Sequence, residues 1–192
     1  MLSAYKQKVA ERQKHLHDFC AETFAERSRC VLDIGCGHGH WLTAYATAHP
    51  KSFCFGMDLR SRRIALARQK QEKNGLTNLV FHKAEAMECL ACLPDKVAFD
   101  AVFILFPDPW PKKRHHKNRL MQPTFLEALK VRMAPQSQLY FRTDDLEYFT
   151  WTQELLQAHP DWEISYEPWD FESSTYFQHI TDAAHSLTAC MA

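Results

Sequence analysis

A fifteen-residue segment, Phe106 to Leu120, combines residue types that could hold a nucleobase together with its phosphates. Asp108 can accept hydrogen bonds, and Trp110 offers a flat aromatic face. The prolines on both sides of Asp108 fix backbone angles that an ordinary solvated basic loop leaves free. Five cations suited to phosphate oxygens follow: Lys112, Lys113, Arg114, Lys117 and Arg119. The segment therefore predicts a nucleic-acid-binding loop, and a plain solvated basic loop is the alternative.

A second segment, V-L-D-I-G-C-G-H-G at Val31 to Gly39, has the pattern of a strand that runs into a tight turn. Gly35, Gly37 and Gly39 allow sharp bends and let backbone amides approach a ligand closely. The dinucleotide fingerprint G-x-G-x-x-G is absent, because the third glycine comes one residue early. Asp33 precedes the glycines, which suits a ligand with a cationic group better than one with a pyrophosphate.

Two further acids follow the next two predicted strands. Asp58 comes nineteen residues after Gly39, where a carboxylate can hold both hydroxyls of a ribose, and Glu85 is placed to reach an adenine amine. With Asp33, these acids predict an adenosyl ligand that carries positive charge. S-adenosylmethionine, with its sulfonium and amino groups, fits that description. For each acid taken singly, the alternative is a helix N-cap or turn residue.

The spacing of apolar segments predicts how these residues are positioned. Strands alternate with helices, which indicates one doubly wound α/β domain over residues 1–192 with a mostly parallel, Rossmann-like sheet. An N-terminal helical segment within residues 1–28 precedes it, and a C-terminal antiparallel strand pair ends it. The predicted helices cover residues 5–24, 40–49, 61–74, 85–93, 122–133 and 145–158. The predicted strands cover 29–35, 52–58, 79–82, 99–106, 138–142, 162–169 and 186–192.

Open sheets of this kind bind ligands where the order of the strands reverses. If the first and fourth strands are neighbours, Asp108 faces the glycine turn across one crevice. The loop for a base and the site for an adenosyl group would then share a single cleft.

Composition narrows the class of protein. The net charge is zero, but residues 143–192 contain ten acids and no lysine or arginine, so phosphate contacts must come from the first 142 residues. No apolar stretch is long enough to span a membrane and no signal peptide opens the chain. Seven irregularly spaced cysteines predict free thiols in a reducing compartment, and no histidine and cysteine set predicts a metal site. We expect a cytoplasmic protein without a metal.

From about Cys30 to Phe177 the chain resembles the class I S-adenosylmethionine-dependent methyltransferases, and more narrowly the bacterial tRNA (guanine-N7-)-methyltransferases. The most specific match is Pro107 to His115, and Asp33, Asp58 and Glu85 lie 75, 50 and 23 residues before Asp108. The resemblance implies that these four acids and the turn glycines bind S-adenosylmethionine, which leaves as S-adenosylhomocysteine. Asp108 would also be the catalytic acid. The implied contacts to the substrate nucleotide are Lys112, Asp144, Thr175, Phe177 and Gln178.

The implied reaction is methyl transfer to N7 of a guanine in the variable loop of tRNA, giving 7-methylguanosine. Guanine N7 already carries an in-plane lone pair, so the reaction needs no general base. The protein would supply alignment and exclude water, and Asp108 would orient the base. The implied partner is tRNA, with no obligate protein partner.

The chain also departs from this family at three positions, one of which is Asp33, where glutamate is frequent. Gln178 and Asn118 stand where glutamate and arginine are common, and Gln178 can hydrogen-bond guanine only without charge. Two alternatives therefore stay open. One is a methyltransferase of a small molecule, which the acidic last fifty residues favour. The other is a non-catalytic RNA-binding relative. Binding that weakens steeply with salt would favour an RNA ligand over a small molecule.

Overall fold

The computed structural model describes residues 2–166, 168–169, 171 and 184–191. Within these residues, helices and strands alternate along the chain, with one 3-10 helix at Lys113–Asn118. The α-helices are α1 Leu2–Thr23, α2 His40–Ala48, α3 Ser61–Lys73, α4 Ala86–Cys92, α5 Pro123–Lys130 and α6 Leu146–Gln157. The strands are β1 Arg29–Ile34, β2 Cys54–Asp58, β3 Leu79–Lys83, β4 Ala98–Leu105, β5 Met133–Thr143, β6 Trp162–Ser165 and β7 His185–Met191.

The described strands form one sheet in the order β3-β2-β1-β4-β5-β7-β6. Strands β1 to β5 pair in parallel, whereas β7 runs antiparallel to both β5 and β6. The predicted doubly wound, mostly parallel sheet and its C-terminal antiparallel strands are confirmed. Because β1 pairs with both β2 and β4, the strand order reverses between β1 and β4.

The helices cover opposite faces of the sheet, as alternation along each strand requires. Val31 of β1 packs with Leu42 of α2 and Ala67 of α3. The next residue, Leu32, points to the other face and packs with residues of α1, α4, α5 and α6, such as Leu90. The chain therefore crosses from one face to the other after β3, which leaves a crevice at the carboxyl ends of β1 and β4.

Helix starts follow their local sequence. Asp145 caps α6 by accepting a hydrogen bond from the backbone N–H of Tyr148 at 2.7 Å, which satisfies a donor that the helix itself cannot pair. Pro123 occupies the first turn of α5, where its missing N–H costs nothing. Both starts adjoin segments that line the crevice.

Two predicted boundaries near the C-terminal half are wrong. Strand β5 begins at Met133 rather than at residue 138, and α5 already ends at Lys130. The register shifts between the pairs Phe99–Met133 and Ala101–Gln138, and Gln136 has a φ of 65°. The strand therefore contains a bulge, and Pro135 beside it made the segment resemble a loop.

The predicted strand over residues 162–169 is also too long. Strand β6 ends at Ser165, before Pro168, which has no N–H to donate to a ladder. Trp169 instead packs its ring against Tyr140 and under the guanidinium of Arg142, whose central carbon lies 4.0 Å from the ring centroid. Trp162 and Trp169 are both buried.

All seven cysteines are free thiols, and four of them, Cys20, Cys30, Cys54 and Cys89, are buried. They pack as small apolar side chains, as predicted. In the part of the chain that the structure describes, none of the helices has the length and apolar character that crossing a membrane requires.

Replacing Gly39 by alanine should destabilise the fold. A Cβ there would lie 2.7 Å from Cζ of Phe81 and 2.8 Å from Cβ of Ala67, and the backbone has a φ of +71°. Crowding and strain together should lower the free energy of unfolding by about 2–4 kcal/mol, measured by urea denaturation. Gly75→Ala is the matched control, because its φ is +62° but nothing lies within 4 Å. An equal loss in both variants would contradict close packing at Gly39.

Candidate active site

A cleft of about 910 Å³ lies over the carboxyl ends of the central strands and contains both motifs found in the sequence. The Asp33 to Gly37 segment lines one wall with Asp58 and Glu85. Asp108 and Trp110 line the same cleft. The structure therefore brings the predicted adenosyl site and the predicted base-holding loop into one space.

The glycine turn is bonded to the end of β2. The backbone N–H groups of Gly35 and Cys36 donate to the carbonyl of Met57 at 2.8 and 2.9 Å. Gly37, at a φ of +56°, donates its N–H to Oδ2 of Asp58 at 3.2 Å. Because a left-handed residue is needed there, glycine lets the turn close onto the Asp58 carboxylate.

Asp33 and Asp58 lie near each other, and both are buried. Burial and, to a smaller extent, the neighbouring charge of Asp58 together raise the pKa of Asp33 to about 8. Asp58 is supported by hydrogen bonds from the N–H of Arg60 at 2.7 Å and from the guanidinium of Arg63 at 3.3 Å. A ligand that brings positive charge next to Asp33 would lower its pKa and ionise it. The pair thus favours a cation in the cleft.

Glu85 combines the two roles that the sequence left open. Its Oε2 accepts the backbone N–H of Glu88 at 2.8 Å and so caps α4. The same side chain lines the cleft, with its other oxygen available to a ligand. Its contact with an adenine stays a prediction.

The loop that carries Asp108 is strained at both ends. Phe106 has a φ of 52° and Trp110 a φ of 48°, a conformation that residues with side chains adopt rarely. The N–H of Phe106 donates to the carbonyl of Arg142 at 2.7 Å, and Oδ1 of Asp108 accepts the N–H of Trp110 at 3.2 Å. The turn therefore presents an exposed carboxylate to the cleft.

Four of the five predicted phosphate-binding cations lie on the surface. Lys112, Lys113 and Arg114 are exposed outside the cleft, and Lys117 is exposed at its lining. They lie in residues 112–117, a few positions after Asp108 in the chain. We call this segment the basic loop. These positions are compatible with contacts to a polynucleotide backbone.

The fifth cation, Arg119, is buried, with a side chain 0% exposed to solvent. Its Nε donates to the carbonyl of Pro109 at 2.8 Å, and its guanidinium lies 4.9 and 5.3 Å from the ring centroids of Tyr148 and Trp151. This burial against the aromatic rings of α6 argues against the predicted contact of Arg119 with RNA phosphates, and that contact is not part of the function proposed below.

Of the remaining predicted substrate contacts, only Asp144 belongs to the described residues. Asp144 is exposed and lines the cleft. Thr175, Phe177 and Gln178 lie outside the described residues. Among the residues that are described, no three histidine, cysteine or carboxylate side chains are arranged to hold a metal ion.

Sequence reasoning missed several residues of the cleft. Arg63, five positions after Asp58, could have been found, because the first turn of a helix that follows a strand points back toward its carboxyl end. Gln122 and Thr124, at the start of α5, also line the cleft. Neither of these two belongs to a motif, so only the folded chain reveals them.

The pKa of Asp33 predicts how stability depends on pH. The folded value of about 8 lies above the ordinary 3.8, so the folded chain binds a proton that the unfolded chain has lost. The free energy of unfolding, relative to a non-titrating Asp33→Asn variant, should therefore fall as pH rises from about 4 to about 8. The slope should reach up to about 1.4 kcal/mol per pH unit. Urea denaturation across this range, with exposed Asp95→Asn as control, would contradict the burial effect if the difference stayed constant.

A family model described as "Putative methyltransferase" matches residues 27–186. A tRNA (guanine-N(7)-)-methyltransferase of Chromohalobacter salexigens is 34% identical over 154 residues, which cover 80% of this chain and 61% of the relative. One from Caulobacter vibrioides is 37% identical over 150 residues, or 78% of this chain and 66% of the relative. The chain thus spans less than two thirds of the length of these relatives.

Two solved structures share the fold. Precorrin-6y C5,15-methyltransferase from Geobacter metallireducens GS-15 superimposes with a TM-score of 0.60 at 16% identity, covering 95% of this chain and 87% of that one. An rRNA methylase from Streptococcus thermophilus gives 0.57 at 14% identity, covering 90% and 92%. These likenesses concern the fold alone. The match over residues 27–186, in contrast, shows that the chain belongs to this methyltransferase family.

Proposed function

We propose that this chain transfers a methyl group from S-adenosylmethionine to N7 of a guanine in tRNA, giving 7-methylguanosine. The observation that carries the proposal is the shared cleft, in which buried carboxylates face the Asp108 loop. The similar proteins carry this activity in their names. The variable loop as the target region follows from the family resemblance.

The carboxylates of the cleft fit the cofactor. S-adenosylmethionine supplies the methyl group on a positively charged sulfur. Asp58 would accept the ribose hydroxyls; it already accepts three hydrogen bonds, and a carboxylate offers about four such positions. The longest of the three comes from Arg63, whose side chain is 33% exposed and can move aside for a second hydroxyl. Asp33 would be ionised by the cationic end of the cofactor.

Asp108 is placed to orient the guanine. An exposed carboxylate on the cleft can accept hydrogen bonds from the N–H groups of the base, and Trp110 can contact its face. Since N7 has its own lone pair, Asp108 has no proton to remove. Its role is to align N7 with the methyl group in a space that excludes water.

The basic loop is proposed to bind the tRNA backbone. Its cations Lys112, Lys113, Arg114 and Lys117 lie beside the cleft, so a guanine held at Asp108 would carry its flanking phosphates onto them. Asp144 and the segment with Thr175, Phe177 and Gln178 complete the proposed contacts to the substrate nucleotide. A tRNA substrate and seven free thiols fit a cytoplasmic location.

A methyltransferase of a small molecule is the second candidate. It is favoured by the composition of residues 143–192, which contain ten acids and no lysine or arginine and so offer no cation to a phosphate. The two candidates differ in the expected product and in the effect of salt on binding.

The direct test is single-turnover transfer of a labelled methyl group into unmodified tRNA, followed by nucleoside analysis. Wild-type protein should form 7-methylguanosine. Asp108→Asn should lower the rate about 30- to 1000-fold, because it loses a charge-assisted contact in a positioned complex. Asp18→Asn, an exposed change on α1, should leave the rate unchanged. Absence of product in tRNA with the wild type would reject the proposal, and a wild-type rate with Asp108→Asn would remove Asp108 from it.

The basic loop should control how binding depends on salt. Replacing Lys112 and Lys117 by alanine should reduce the slope of log affinity against log salt by roughly 1–2 units, because two phosphate contacts are lost. Replacing Lys8 and Lys14 on α1 should leave the slope as it is. Filter binding to unmodified tRNA at several salt concentrations measures both. Equal slopes in the wild type and the loop variant would place the RNA elsewhere.

A further inference from the structure

Arg119 is one of the largest fully buried side chains among the described residues. A buried guanidinium cannot lose its charge, so it must be held by acceptors and aromatic faces. Only its Nε makes a hydrogen bond within the described residues, and that bond goes to the carbonyl of Pro109. Arg119 thus attaches to the residue between Asp108 and Trp110.

The other side of Arg119 is anchored to α6. Its guanidinium lies over the rings of Tyr148 and Trp151, and Nη2 lies 3.5 Å from Oε1 of Glu147. These rings are themselves fixed by the backbone of Met121, which donates its N–H to the Tyr148 hydroxyl at 3.1 Å and accepts the Trp151 indole N–H at 2.9 Å. Arg119 therefore connects a rigid helix to the loop that presents Asp108.

That loop needs an external restraint. Positive φ angles at Phe106 and Trp110 disfavour the observed turn, and each persists only where surrounding contacts enforce it. The hydrogen bond from Arg119 to the Pro109 carbonyl is such a contact, since it holds the peptide group that directly precedes Trp110. Without it, the turn would relax and the Asp108 carboxylate would move.

Stability alone does not account for this arginine. Removing a guanidinium from water is costly, and an apolar side chain of similar size usually packs as well or better. Nη1 and Nη2 make no hydrogen bond in the described part of the chain, so the cost is only partly offset. What the arginine adds over an apolar residue is a directed bond to one carbonyl of the strained turn.

We propose that Arg119 is a positioning residue for methyl transfer, which fixes the Phe106 to Trp110 turn and thereby the Asp108 carboxylate. This inference rests on the proposed function. Arg119 then differs in role from its neighbours in sequence. The exposed cations of the basic loop determine RNA affinity, whereas the buried Arg119 determines the rate of methyl transfer in the bound complex.

The test replaces Arg119 by methionine, which keeps an apolar chain and removes the directed bond. Single-turnover methyl transfer at saturating RNA and cofactor should slow about 100-fold, the loss typical of a displaced catalytic group. The RNA dissociation constant and its salt slope should stay within about twofold of wild type, since Arg119 contacts no phosphate. Parallel loss of RNA affinity and salt slope would overturn the inference, and so would an unchanged rate.

Arg132→Met is the matched control for general destabilisation. Arg132 is also mostly buried and donates to the backbone carbonyls of Pro94 and Leu93 at 2.6 and 2.9 Å, but it does not line the cleft. Its loss should lower the thermal midpoint without slowing transfer by folded protein. An equal slowing in both arginine variants would make Arg119 a merely structural residue.

Amide hydrogen exchange is a second test, and it does not depend on catalytic turnover. In Arg119→Met, the Trp110 amide should exchange at least about tenfold faster, while amides of β1 and β4 should keep their wild-type rates. If wild-type protein transferred no methyl group, the proposed function would fail, and this test would still decide whether Arg119 holds the turn. Unchanged exchange at Trp110 would overturn it. Glu147→Gln removes the charge of an exposed carboxylate beside Arg119 and should leave the protein folded. Exchange at its Trp110 amide should also be faster than in wild type, by a smaller factor than in Arg119→Met.

Discussion

The parallel pairing of β1 with β4 is the constraint on which the site depends. It places the strand that enters the glycine turn beside the strand that enters the Pro107 to Trp110 turn. Because the helices after β1 and β2 cover one face and those after β3 and β4 the other, none of the described helices crosses the end of the sheet above this pair. Two segments that lie 75 residues apart, at Asp33 and Asp108, thus line one cleft.

The two sides of the site carry complementary electrostatic roles. The side at β1 and β2 contains the buried carboxylates Asp33 and Asp58, and the pKa of Asp33 is raised first by its burial and second by the charge of Asp58. The outer side, beyond Asp108, is basic at residues 112–117. A cationic adenosyl cofactor suits the first and a polynucleotide the second. The neutral net charge of the chain conceals this separation.

How far the sequence predicts this arrangement depends on whether a residue acts locally. The strands, the glycine turn and the acids at strand ends follow from short patterns, and the structure places them together. Pro135 and the bulge at Gln136 hide the start of β5, since a bulged strand lacks the alternation that identifies strands. Arg119 has the same local context as its exposed neighbours. Its burial depends on Tyr148 and Trp151, about thirty residues later, which no local pattern contains.

We propose above all that the carboxylates at the carboxyl ends of β1 and β2 hold an adenosyl cofactor with its reactive end toward the Asp108 turn. A crystal structure of the chain with S-adenosylhomocysteine tests this most directly. The account predicts ribose hydroxyls within hydrogen-bonding distance of the Asp58 carboxylate, with Arg63 displaced and the sulfur facing the turn at Pro107 to Trp110. An adenosyl group bound outside this cleft, or a ribose without contact to Asp58, would contradict it.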